Sequence, residues 1–169
     1  MLLRGAAVTL RPAGAADVPA LAAIRAEPEV RRWWRGDDDL AATVAADLAD
    51  ENLTVYAIEH GGRVVGAIQW YAEEDPDYRH ASLDVFLDPS VRGAGLGGDA
   101  IRTLLRHLID AHGHHRFTID PAAANTAAIR AYAKVGFRPV GVLRRYERGD
   151  DGRWHDGLLM DLLADDLPG

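Results

Sequence analysis

The stretch DVFLDPSVRGAGLGGDAIRTLLRHL, residues 84–108, decides the fold of this chain. Its first residues include apolar side chains at alternate positions, Val85 and Leu87, which is typical of a β-strand. A glycine-rich turn follows, and the stretch ends with helical periodicity. The residues that repeat on one face of that helix are Leu96, Ala100, Leu104 and Leu108. The stretch therefore predicts a strand, a glycine-rich turn and a helix, in that order.

The turn suits the binding of a phosphate group. Its glycines carry no Cβ, so the backbone can approach a ligand closely, and the first N–H groups of a helix attract anions. A P-loop is excluded, because it needs a lysine after its last glycine and none is present here. Gly93, Gly95 and Gly98 fit the spacing of a dinucleotide fingerprint, but no acidic residue suited to a ribose follows unless Asp120 serves. A surface turn that binds nothing is the remaining alternative.

A second segment, NTAAIRAYAKVGF at residues 125–137, predicts another helix. Ala128, Ile129 and Tyr132 lie on one face of it. Gly136 then ends the helix, and Phe137 begins a strand. Taken alone, Tyr132 is a half-buried helical aromatic, but its segment follows the glycine-rich loop at the separation of about one βαβ unit.

Together the two segments resemble the coenzyme A-binding segments of the GNAT N-acetyltransferase family. The pattern Arg92-x-x-Gly95-x-Gly97 after an apolar strand is similar to the loop that holds the acyl-CoA pyrophosphate in that family. The resemblance implies acetyl-CoA as cosubstrate, and we expect no metal. The residues that it implies in CoA binding are Val85, Phe86, Leu87, Arg92, Gly93, Ala94, Gly95, Leu96, Gly97, Gly98, Asn125, Ala128 and Tyr132.

The resemblance also implies an α/β (α+β) fold with flanking helices and one mixed, mostly antiparallel sheet of about six to seven strands. In this family two central parallel strands splay apart and CoA enters the gap; here the pair is 81–88 and 117–120. The length of 169 residues predicts a single N-acetyltransferase domain, residues 1–169. Sequence patterns predict further strands at 8–12, 54–59, 63–71, 137–148 and 154–163, and further helices at 17–27 and 39–50.

Composition narrows the class of partner. The net charge of −7 disfavours nucleic acid and is compatible with a cationic acceptor. No apolar run approaches the roughly 20 residues that span a bilayer, so we expect no membrane partner. The absence of cysteine excludes a thiolate nucleophile and makes a cytoplasmic location the default. We expect a monomer or a homodimer.

Three histidines lie close together at 112, 114 and 115. A His-rich tract can bind a metal, but this one lacks a carboxylate or cysteine at ligand spacing. We expect His112, His114 and His115 to occupy a helix end and an exposed turn.

The resemblance implies direct acetyl transfer to an amine in a ternary complex. Tyr132 would protonate the leaving thiolate, and backbone N–H groups near Val85 to Leu87 would stabilise the oxyanion. Asp84 is the first candidate for the general base. Glu73 or Glu74, acting through water, is the second, although most acidic loops of this kind are simply solvated.

Four segments resemble the aminoglycoside 6′-N-acetyltransferases: residues 29–36, 73–80 leading to Asp84, 93–98 and 118–137. This resemblance predicts that the acceptor is the 6′-amine of an aminoglycoside. That resemblance implies an acceptor pocket lined by Trp33, Trp34, Asp84 and Asp120, although one Trp could instead pack in the core. The acidic loop adds Glu74 as a further candidate that would attract an amine, unless the loop is simply solvated. The C-terminal hairpin resembles the ribosomal-protein N-terminal acetyltransferases, which makes a protein N-terminus the alternative acceptor. The third alternative is a non-catalytic protein that binds acyl-CoA as a sensor.

Overall fold

The computed structural model describes residues 1–169 and contains one eight-stranded sheet with the order β1-β2-β3-β4-β5-β6-β8-β7. Every neighbouring pair is antiparallel except β5 and β6. The strands are β1 Leu3–Arg4, β2 Thr9–Pro12, β3 Thr54–His60, β4 Arg63–Glu73, β5 His80–Leu87, β6 Arg116–Ile119, β7 Arg138–Arg148 and β8 Trp154–Leu163. The helices are α1 Val18–Ala26, α2 Pro28–Arg31, α3 Leu40–Ala49, α4 Leu96–Asp110 and α5 Thr126–Val135.

Helices cover both faces of the sheet, because its central strands are apolar on both sides. A core of 21 buried residues lies between one face and the helices α4 and α5. A smaller core of six buried residues lies between the other face and α1, α2 and α3. The predicted apolar face of α4 is confirmed: Leu96, Ala100, Leu104 and Leu108 are each at most 3% exposed.

The two parallel strands separate soon after they pair, as predicted. β5 and β6 are in register only at Ala81 with Phe117 and at Ser82 with Thr118. The hydroxyls of Ser82 and Thr118 lie 2.7 Å apart at the point where the strands divide. Beyond Ser82, β5 continues to Leu87 with no strand on that side, so a gap opens in the middle of the sheet.

Several boundaries differ from the predictions. The sheet has eight strands rather than six to seven, because Leu3–Arg4 forms a short edge strand that is too brief to show a period. The helix predicted at 17–27 begins one residue later, at Val18, and the carboxylate of Asp17 binds Arg11 and the Gly14 N–H. A further short helix, α2, follows it directly and begins at Pro28, since proline is well tolerated in a first helical turn.

The prediction that all three histidines lie in an exposed turn is wrong for His114. This residue is 3% exposed, and its ring lies 5.7 Å from the ring of Trp70 and 6.4 Å from that of Phe117. The turn after α4 folds back, and the His114 N–H donates to the Leu108 carbonyl. Neither ring nitrogen of His114 has a hydrogen-bond partner, and burial lowers the pKa of the imidazole.

None of the five helices is both long enough and apolar enough to span a membrane.

Candidate active site

A cavity of about 860 Å³ opens where β5 and β6 separate. Asp84 to Leu87 of β5 line one side, and Ile119 and Asp120 line the other. The glycine-rich loop, α5, the segment around Trp34 and part of β7 complete the walls. The cavity therefore joins elements that are far apart in the sequence.

The glycine-rich loop presents free backbone donors. Gly95 precedes α4 with a positive φ of 77°, and Gly93 has a φ of 85°, a region that favours glycine. None of the backbone N–H groups of residues 93–98 donates to an acceptor within the chain, because the hydrogen bonds of α4 begin at Asp99. A Cβ at Gly93 or Gly95 would meet no protein atom, so the absence of side chains leaves open space beside these donors. This cluster fits a phosphate anion.

Cationic side chains surround the same end of the cavity. Arg92, Arg102, Arg130 and Lys134 all contribute to its lining. Arg92 also forms an ion pair with Glu29 at 3.2 Å, which ties the loop to α2. The positive charge and the free N–H groups together match a ligand with several phosphates, as the phosphate groups of CoA would require.

The second predicted segment forms the opposite wall. Asn125 caps α5, since its side-chain oxygen accepts from the Ala128 N–H at 3.2 Å. Asn125, Ala128 and Tyr132 all line the cavity. Burial, followed by the charges of Asp84 and Asp120, raises the pKa of Tyr132, so this hydroxyl keeps its proton. The Tyr132 hydroxyl makes no hydrogen bond within the protein and is available to a ligand.

Asp84 lies deep in the cavity. Side chains alternate along β5, so Asp84 projects on the same face as Phe86, away from α4. Burial, and then the charges of Asp120 and Glu147, raises the pKa of Asp84 to about 7. A carboxylate with such a pKa can take up a proton at neutral pH.

Both tryptophans line the cavity on the side of Asp84. The ring of Trp34 packs edge-on against Phe86, with centroids 4.8 Å apart, and the buried Arg25 guanidinium lies 5.3 Å from its centroid. Trp34 therefore belongs partly to the smaller core, whereas Trp33 stacks with Arg32 at 4.5 Å. This packing of Trp34 agrees with the alternative in which one Trp lies in the core, and the role of either Trp in an acceptor pocket stays a prediction.

Further residues reach the cavity that the sequence did not indicate: Arg35, Tyr71, Tyr146 and Glu147. Burial raises the pKa of Glu147, while Arg35 at 3.9 Å acts in the opposite direction. The Tyr146 hydroxyl donates a short hydrogen bond to Asp120. Asp84, Asp120 and Glu147 thus form a cup of three carboxylates.

Three predicted residues do not line the cavity. Glu73 lies at the end of β4, and its carboxylate accepts from the Asp75 N–H at 2.9 Å. The Glu74 side chain is 74% exposed and lies 4.0 Å from Arg79. Ala94 is part of the glycine-rich loop, but only its neighbours face the cavity. The structure therefore separates Glu73 and Glu74 from Asp84. It also contains no group of three or more His, Cys, Asp or Glu side chains placed to bind a metal ion.

The fold and the cavity define an acyltransferase, and comparison with known proteins gives the family. The family model described as "Acetyltransferase (GNAT) domain" matches residues 7–138. The chain belongs to the GNAT acetyltransferase family, which confirms the resemblance inferred from the two segments.

Relatives of two kinds are similar to the chain. Aminoglycoside N(6′)-acetyltransferase type 1 of Klebsiella pneumoniae is 29% identical over 157 residues, which covers 80% of this chain and 76% of the relative. N-alpha-acetyltransferase RimI of Mycobacterium tuberculosis is 31% identical over 119 residues, which covers 67% of this chain and 70% of the relative. Among solved structures, RimJ of Mycobacterium smegmatis in complex with CoA-disulfide superposes with a TM-score of 0.85 at 27% identity, covering 100% of this chain and 88% of that one.

Proposed function

We propose that the chain transfers the acetyl group of acetyl-CoA directly to a primary amine, with the 6′-amine of an aminoglycoside as the first candidate acceptor. The observation that carries this proposal is the continuity of the cavity, which joins a loop of free N–H donors to a cup of three carboxylates. The loop suits the phosphates of CoA, and the cup suits a cation. Asp84 belongs to the cup, and Tyr132 lines the same cavity from α5.

The residues present supply each step of the transfer. An alkylammonium acceptor binds against the carboxylates, and Asp84 takes one of its protons. The freed amine attacks the thioester carbonyl, and the oxygen gains negative charge as the C–N bond forms. Beyond Ser82, β5 has no strand on its β6 side, so alternate N–H groups there are available to that oxygen. The oxygen then re-forms the carbonyl, the C–S bond breaks, and Tyr132 gives its proton to the departing sulfur. The second proton of the attacking nitrogen returns to Tyr132, which leaves a neutral amide and a free thiol.

A small polycation suits the acceptor half of the cavity. Asp84, Asp120 and Glu147 carry up to three negative charges, and only Arg35 offsets them at ion-pair distance. The aromatic surfaces of Trp33 and Trp34 add flat apolar walls. An amino sugar offers several ammonium groups, which carboxylates and aromatic faces both attract, and a saturated ring whose C–H face can pack on an aromatic wall. The similarity to aminoglycoside N(6′)-acetyltransferase supports this choice.

The α-amine of a protein N-terminus is the second candidate acceptor. The similarity to N-alpha-acetyltransferase RimI of Mycobacterium tuberculosis supports this choice. A peptide would enter past the exposed rim residues Tyr71 and Tyr146, which are each 47% exposed.

The test is release of free thiol from acetyl-CoA, followed with a thiol reagent. The chain contains no cysteine, so the protein adds no background. The acceptors are an aminoglycoside with a 6′-amine, its 6′-hydroxyl analogue, peptides with N-terminal Ala or Ser, and spermidine. We expect release with the 6′-amine and none with the 6′-hydroxyl. Release with peptides alone would establish the second candidate, and no release with any amine would contradict amine acetylation.

A further inference from the structure

The pairing of β7 with β8 contains a bulge that a simple hairpin does not need. Leu143 pairs with Gly157 and Glu147 pairs with His155, so three residues of β7 lie opposite Asp156 alone. β7 therefore carries two extra residues at this point. Arg145, in the middle, has a φ of 48° and is the only non-glycine residue in the chain with a positive φ. Such a conformation is unfavourable for a residue with a side chain and persists only where the surroundings enforce it.

Two contacts hold the bulge in place. The Arg145 N–H donates to the Asp156 carboxylate at 2.8 Å. The ring of Tyr146 packs over Gly157, where a Cβ would lie 2.9 Å from a carbon of the ring. Gly157 is thus the residue type that leaves room for the ring. Together these contacts place the Tyr146 hydroxyl against Asp120, which follows β6 and so lies across β8 from β7.

We propose that Tyr146 is a specificity-determining residue of the acceptor pocket, which fixes the Asp120 carboxylate and, with it, binds the ammonium group of the acceptor. This inference rests on the proposed amine acetylation. The Tyr146 proton occupies one oxygen of Asp120, and the other oxygen makes no hydrogen bond within the protein. The Tyr146 oxygen keeps its lone pairs and can itself accept a hydrogen bond.

In this arrangement the carboxylates of Asp120 and Asp84 have different roles. An ammonium group has three N–H donors, and Asp120, Tyr146 and Asp84 offer one acceptor each. The three groups line the same cavity, and the Tyr146 hydroxyl bonds directly to Asp120. Asp120 and Tyr146 hold the cation, while Asp84 remains free to take the proton. Because Asp120 is fixed before the acceptor arrives, less freedom is lost on binding.

The test is steady-state kinetics of Tyr146→Phe with the 6′-amine aminoglycoside, or with the N-terminal Ala peptide if that is the better acceptor. Phenylalanine keeps the ring over Gly157 and removes only the hydroxyl. Loss of a hydrogen bond to a charged group predicts a rise of about tenfold or more in the KM of the acceptor. The KM of acetyl-CoA should stay unchanged. Tyr78→Phe, at a side chain outside the cavity that is 74% exposed, is the matched control.

A double-mutant cycle separates recognition from a structural role. If Tyr146 acts together with Asp120, Tyr146→Phe should have little further effect on the acceptor KM of Asp120→Asn. An unchanged acceptor KM in Tyr146→Phe, or an equal loss in both backgrounds, would overturn this inference while leaving the proposed function intact. A wild-type protein that acetylates no amine of the panel would overturn both.

Discussion

Replacing Asp84 by Asn tests the assignment of the general base. The pKa of Asp84 is raised from 3.8 to about 7, so its deprotonated fraction falls about tenfold for each pH unit below 7. An alkylammonium acceptor stays protonated over this range and adds no titration of its own. We therefore expect kcat/KM for the acceptor to fall about tenfold per pH unit below 7 in the wild type.

In Asp84→Asn the acidic limb should disappear, and turnover at pH 8 should fall by about 10²–10⁴-fold, the usual contribution of general base catalysis. The assay is thiol release between pH 5 and 8.5. Asp77→Asn, in the exposed loop after β4, is the matched control and should keep the wild-type profile. An acidic limb that persists in Asp84→Asn would refute the assignment. A limb that disappears in Glu74→Gln instead would move the base to the acidic loop.

The substitution Asp84→Asn should raise the stability of the fold while it lowers turnover. A higher melting temperature would therefore show that the inactive variant is folded. Because the pKa of Asp84 is higher in the folded state than its ordinary value of 3.8, ionised Asp84 destabilises the fold. This cost is fully present above about pH 7 and disappears as the pH falls toward 3.8. The melting temperature of Asp84→Asn should therefore exceed that of the wild type at pH 8, and the difference should narrow toward pH 4.

Three further changes test the site and the core. Tyr132→Phe should lower kcat by about 10²–10⁴-fold while the Kd of CoA from calorimetry stays the same; normal turnover would remove Tyr132 from the mechanism. Asp99→Asn weakens three bonds that the carboxylate accepts from the backbone of residues 6–8, at 2.7–3.0 Å; it should cost about 2 kcal/mol, or about 4–8 °C in melting temperature. Burial lowers the pKa of His114, so the contribution of this imidazole to the free energy of unfolding should fall as the pH falls below 6.5, opposite in sign to that of Asp84. The difference in free energy of unfolding between wild type and His114→Phe, from chemical denaturation, should therefore shift against the wild type by up to about 1.4 kcal/mol per pH unit below 6.5; a difference that does not change with pH would contradict the role of His114.

Much of the fold and of the CoA half of the cavity was predictable because the signals are local. The strand, glycine-rich turn and helix of residues 84–108 follow from short-range periodicity and from the backbone freedom of glycine. The caps at Asp39 and Asn125 likewise depend on a side chain and an N–H group three residues later. Asp84 and Tyr132 were found because each lies within such a segment.

The acceptor half depends on contacts that no local pattern contains. Tyr146 and Glu147 reach the cavity because β7 carries two extra residues opposite Asp156, and strand alternation in the sequence does not show where a bulge falls. Arg35 directly follows Trp34, whose ring packs against Phe86, and lies 3.9 Å from Glu147. Glu73 and Glu74 fall outside for the complementary reason, since β4 continues to Glu73 and carries both past the gap.

The sequence by itself therefore predicted most of the elements and the glycine-rich loop, because these depend on interactions between near neighbours in the chain. Only the tertiary structure decided which carboxylates share one cup, and that His114 is buried beside Trp70. The physical reason is that these contacts join residues that are far apart in the chain and that the sheet brings together. The raised pKa of Asp84 is a consequence of the same arrangement, since it arises from burial and from the charges of neighbouring carboxylates.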